Sequence, residues 1–195
     1  MTLIKYEVVM FVFYVKSVKK FLFIISVLLM SQYSLAEKND QEKQWKKLTQ
    51  YFFAAARLGD TAIINEFVNA GFPIDIKNRK GYTALMISSY NGRPEAVNKL
   101  LTLGANACAE DNRGNTAVMA AIFKGEFSIA KRLIAADCNE NHQNNAGQTP
   151  LMYASLFGRE ELKALLIDQG ADENQADNSG NTAASISNLK SVVLQ

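Results

Sequence analysis

Histidine is nearly missing from this chain: His142 is the only one in 195 residues. A site built on several imidazoles is therefore excluded. With two cysteines beside it, the chain also has too few ligands for a structural zinc site, which takes four. There is no G-x-x-x-x-G-K-[ST] phosphate loop. Glu160 and Glu161 are adjacent, so on a helix they point in different directions and do not form a facing acid pair. His142 stands in a polar stretch, 139–145, and reads as a solvated loop side chain. No catalytic residue, metal or cofactor is expected.

The chain also lacks a strong charge of either sign. Lys5, Lys16, Lys19 and Lys20 against Glu7 give residues 1–36 a net of +3, which leaves −1 for the rest of a chain whose total is +2. A near-neutral body has no electrostatic drive toward nucleic acid or anionic lipid. The apolar runs at 8–15 and 21–30 fall short of the roughly 20 residues a membrane span needs. No Pro/Gly-rich linker divides the sequence after residue 36, so one domain is expected there.

What is present begins with a leader. Lys16, Lys19 and Lys20 precede the apolar run at 21–30, and Ser34 and Ala36 form a small-x-small end before the polar stretch that starts at Glu37. This is the layout of a signal peptide, 1–36, cleaved near Ala36. The alternative is an uncleaved anchor, for which the run is short. The apolar run at 8–15 is surplus to such a leader, and a translation start at Met10 would account for it.

The strongest signal is a period of 33. Gly81, Gly114, Gly147 and Gly180 follow it, as do Thr83, Thr116, Thr149 and Thr182. Gly59, Gly92, Gly125 and Gly158 form a further column; Leu100, Leu133 and Leu166 form another, with Phe67 in the slot before them. Columns in one register mean a stacked array. Asp111-Asn-Arg-Gly114-Asn-Thr116 reads as a tight turn whose threonine caps a helix. A short apolar helix over 117–123 is ended by Gly125. A second helix, 127–135, puts Ile129, Ala130, Leu133 and Ile134 on one face.

These stretches resemble the ankyrin repeat, with its turn, Thr-Pro-Leu-His-x-Ala helix start, second helix and Gly-Ala-Asp loop. The matching segments are Thr83-Ala-Leu-Met-Ile-Ser88, Thr116-Ala-Val-Met-Ala-Ala121 and Thr149-Pro-Leu-Met-Tyr-Ala154. Met86, Met119 and Met152 stand where the family usually has histidine and are expected to fill that space by packing. The resemblance implies an all-α ankyrin-repeat solenoid over 37–195. Its repeats fall at about 45–77, 78–110, 111–143 and 144–176, with a capping half-repeat at 177–195. The first unit lacks the Gly-x-Thr turn, and a longer helix there is expected to lay Trp45 and Leu48 over the first repeat.

The family binds other proteins through its turn tips and first helices. Carried across, that face holds Arg79, Lys80, Tyr82, Asn112, Arg113, Asn115, Asn145 and Gln148 on the turns. The first helices add Arg57, Tyr90, Asn91, Phe123, Lys124, Leu156 and Phe157. Large apolar side chains beside arginine and lysine have the composition of a binding hot spot. Tyr82 is expected to be exposed; for Phe123 and Leu156 the alternative is packing between repeats. Cys108 and Cys138 fall in corresponding loops of consecutive repeats. A disulfide and two independent thiols both fit that placement, and the bridge is the expectation carried forward.

The resemblance is to small periplasmic ankyrin-repeat proteins of Gram-negative bacteria. It implies a monomeric, non-enzymatic protein that binds another protein in the periplasm or after secretion. Some of that group accompany catalases and peroxide defence. An immunity protein masking a toxin and a secreted effector are the alternatives.

Overall fold

The computed structural model describes residues 37–136 and 138–187. The expected leader, its processing near Ala36, the start at Met10 and residues 188–195 of the expected cap lie outside them. The chain divides into two compact units between Leu48 and Thr49. Residues 37–48 of the first unit are helical and exposed.

The second unit carries the repeats. Its helices are α1 (49–58), α2 (Thr61–Asn69), α3 (Ala84–Tyr90), α4 (Pro94–Thr102), α5 (Ala117–Lys124), α6 (Phe127–Ile134), α7 (Pro150–Leu156) and α8 (Glu160–Asp168), followed by a helical stretch at 183–187. The described residues contain no strand. Like stacks on like. Among first helices α3 packs on α5 and α5 on α7; among second helices α2 packs on α4, α4 on α6 and α6 on α8. Each step repeats the last, which makes this an all-α solenoid.

The periodic columns explain the packing. Leu100, Leu133 and Leu166 are buried between the second helices, as are Ile129 and Ala130 on the expected face of α6. In the first repeat the leucine slot belongs to Phe67. Its ring lies 5.5 Å from Phe52 and 5.1 Å from Phe72, an aromatic cluster in place of an aliphatic layer. Met86, Met119 and Met152 are buried, as a packing role requires. Between layers, the Ser88 hydroxyl donates to the Ala56 carbonyl at 3.0 Å.

Helix ends follow the sequence with one exception. Gly125 closes α5 with φ of 77°. Thr83 Oγ1 accepts the Met86 N–H at 3.3 Å, and Thr149 Oγ1 accepts that of Met152 at 3.2 Å. Thr116 departs from the pattern. It occupies the same N-terminal position on α5, but its buried hydroxyl has no partner among the described residues.

The turns are locked in two ways. Within each, an Asn or Asp side chain accepts two backbone N–H groups. Asn78 takes those of Lys80 and Tyr82, Asp111 those of Arg113 and Asn115, Asn144 those of Ala146 and Gln148, and Asp177 those of Ser179 and Asn181. Between turns, backbone N–H groups of Asn112, Asn145 and Asn178 donate to the carbonyls of Lys80, Arg113 and Ala146 at 3.1, 2.9 and 3.0 Å. Their side-chain amides donate to the preceding tip carbonyls, of Arg79, Asn112 and Asn145, at 2.9, 3.1 and 3.0 Å. This approach demands glycine in the earlier turn. A Cβ on Gly81 would lie 2.5 Å from the Asn112 nitrogen, and Gly81 has φ of +81°.

Two loop features complete the array. Cys108 and Cys138 form a disulfide with a Cα–Cα separation of 5.6 Å, within the roughly 7 Å limit for such a bond. It ties the loop that ends the second repeat to the loop that ends the third. His142 corrects the expectation of a solvated side chain. Its Nε2 lies 2.7 Å from the Gly114 carbonyl and its Nδ1 lies 3.7 Å from Glu110. The stacked turn supplies a carbonyl where an isolated loop would supply water.

Candidate functional site

The C-terminal ends of α3, α5 and α7 bring one column of the period to the surface: Tyr90, Phe123 and Leu156, each close to 44% exposed. The rings form a ladder. Tyr90 stacks on Phe123 with centroids 6.1 Å apart and planes 14° apart. Phe123 meets Phe157 edge to face at 4.9 Å, and Phe157 meets Tyr153 at 6.0 Å. Lys124 Nζ sits 5.0 Å over the Tyr90 ring. Both readings of Phe123 thus hold in part: it packs between repeats, and nearly half of it remains open.

The ladder stands on a packed base. The helices that bear it stack on buried Ala121, Ile122, Leu151 and Ala154. Adjacent rings restrict one another's rotamers, so ordering them on binding costs little entropy. A packed, partly exposed aromatic row is the kind of surface on which protein contacts concentrate their energy.

The other candidates separate into groups. Arg79, Lys80 and Arg113 are exposed on the turn tips, and Arg57 and Lys124 are exposed on the first helices. Tyr82 departs from the expected exposure: it is half-buried and packs against the core. Asn91 donates its side-chain amide to the Ile87 carbonyl at 2.7 Å, closing α3. Asn115 is committed inside the array. Its Nδ2 donates to Asp111, and its Oδ1 accepts from Tyr153 Oη at 3.0 Å and from Asn144 Nδ2 at 2.8 Å. Gln148 Oε1 lies 3.4 Å from the same Asn144 amide. Asn112 and Asn145 hold turn to turn, as described above. Burial of Tyr153 raises its phenol above the usual value, with the Asn144 amide working against that shift.

Leu58 is a residue that the sequence reading leaves out, and it belongs beside the ladder. It is 71% exposed and occupies the column of Asn91, Lys124 and Phe157. The period itself carried that signal.

Two recesses are open, and the second reaches Leu58. One open depression of about 500 Å³ is lined by Leu101, Asn106, Cys108 and Arg132, among others. Another, of about 410 Å³, is lined by Ala54, Leu58, Asp60 and Phe67 among others. Neither joins a nucleophile to a base.

A family model described as ankyrin repeats (3 copies) matches residues 20–111, 51–142 and 124–188. The chain belongs to the ankyrin-repeat family. It is also similar to ankyrin repeat domain-containing protein 29 of Danio rerio, at 38% identity over 65 residues, 33% of this chain and 22% of that protein. The chain therefore matches about a fifth of the length of that relative. Ankyrin repeats are in general protein–protein interaction modules. Among the described residues, no helix is long and apolar enough to cross a membrane.

Proposed function

We propose that this protein holds a second protein on the Tyr90–Phe123–Phe157 face, as a non-enzymatic adaptor or partner-stabilising protein in an exported compartment. The single observation that carries the docking face is the ring ladder, partly exposed and packed ring on ring. The disulfide supports the exported setting, because such bonds persist in oxidising compartments and are rare in the cytosol. The leader-like layout of residues 1–36 points the same way.

The test replaces Tyr90 and Phe123 together by serine in the full chain and follows recovery of the partner from its own cells. Partner recovery is expected to fall at least tenfold, with the helical signal unchanged. Undiminished recovery places the site elsewhere. The identity of the recovered protein then separates the finer readings. A catalase-type enzyme supports a role in peroxide defence, a toxin supports immunity, and a host protein supports a secreted effector.

A further inference from the structure

The docking face has a charge that the rest of the chain does not share. Beyond residue 36 the net charge is −1. Yet Arg79, Lys80 and Arg113 stand exposed on the turn tips, and Arg57 and Lys124 stand exposed on the first helices, whose C-terminal ends carry the ladder. None of the five is in an ion pair among the described residues.

The carboxylates near them in sequence are engaged elsewhere. Asp111 accepts the N–H groups of Arg113 and Asn115 inside its own turn. Glu110 faces His142. Glu126 fills the space against Gly92, in the loop between first and second helices. Asp111 and Asp177, the carboxylates of the turns themselves, form no ion pair with the five cations among the described residues. Of the five, Lys124 lies over the Tyr90 ring of the ladder.

We infer that the partner presents an acidic segment bearing aromatic or large aliphatic anchors. The anchors lie along the Tyr90–Phe123–Phe157 ladder, and the carboxylates meet Arg79, Lys80 and Arg113 on the turn tips and Arg57 and Lys124 on the first-helix ends. This inference rests on the proposed docking face and adds the chemistry of what it holds. Like-signed charge on a partner is disfavoured at such a face, so charge supplies selectivity while the rings supply affinity.

The experiment selects binders to the purified full chain from a displayed library of random 16-residue peptides. Selection is repeated on the full-chain variant R79E/R113E/K124E and on Y90S/F123S, each checked for its helical signal. Wild type is expected to enrich peptides of net negative charge with at least one aromatic or leucine-like anchor. Their binding is expected to weaken about tenfold or more on the charge-reversed variant and on raising salt, as for steered charge pairs. The charge-reversed variant is expected to enrich basic peptides. Enriched peptides that need the rings but are neutral or basic overturn the charge inference and leave the face standing. Peptides that bind Y90S/F123S as well as wild type overturn both. No enrichment on wild type also overturns the inference.

Discussion

Asn145 grips the turn before it at two points: its backbone N–H donates to the Arg113 carbonyl at 2.9 Å, and its side-chain amide donates to the Asn112 carbonyl at 3.1 Å. The same pair of bonds recurs at Asn112 and Asn178, one period away on either side. Replacing Asn145 by Ala removes one of the two bonds and is expected to cost about 1 kcal/mol. Replacing Gly114 by Ala is expected to cost more. Its φ is +76°, and the new Cβ would lie 2.9 Å from the Asn145 nitrogen. Urea denaturation of the two variants gives the order directly.

The three first-helix threonines are expected to differ. Thr83 and Thr149 cap their helices through Oγ1, so replacement by Val loses roughly 1 kcal/mol each. The Thr116 hydroxyl is buried without a partner among the described residues, so Thr116→Val is expected to be neutral or stabilising. Thermal melts of the three variants check the contrast. An equal loss at all three positions would contradict it.

The disulfide closes a loop of about 30 residues across two repeats. The native protein is expected to show no reactive thiol, and C108A/C138A is expected to lose about 3–4 kcal/mol in the chain-entropy model. Thiol titration and denaturation of the oxidised protein beside the double variant measure both. A free thiol in the oxidised protein would remove the bond.

Asp177 should report acid loosening of the last turn. Hydrogen bonds from the Asn181 backbone and side chain, and then from the Ser179 backbone, hold its carboxyl below the ordinary value. A lowered folded value means that the stabilisation is present above the unfolded value. It is lost as pH falls through the folded one. The Asn181 and Ser179 amides are therefore expected to lose protection from hydrogen exchange only in that acid range. Loss near neutral pH would contradict this.

Much of the fold was legible because it rests on repetition. Gly81, Thr83, Gly92 and Leu100 each recur every 33 residues. Each column has one main physical cause, in turn a tight turn, a helix cap (Thr116 excepted), a helix end and a buried layer. The docking surface was less legible. Its residues answer to the partner, so the period gives their place but not their state. Tyr82 reads like a tip residue, yet it leans on the core. Asn112, Asn115 and Asn145 look like solvent-facing polar side chains. Their amides bond across repeats instead, a partnership that exists only once turns stack. His142 departs from its sequence reading for the same reason. The pairing of Tyr90 with Phe123 was readable as a shared column, while the edge-on contact to Phe157 joins neighbouring columns and arises only once the helices stack.

The most direct test of the docking face is site-specific photocrosslinking in cells that express the full chain. A photoreactive residue is placed in turn at Phe123 on the ladder and at Ser128, which is exposed on α6 among the second helices. One discrete crosslinked protein is expected from position 123 and none from position 128. Crosslinks from position 128 alone, or from neither position, would contradict a docking face on the ladder.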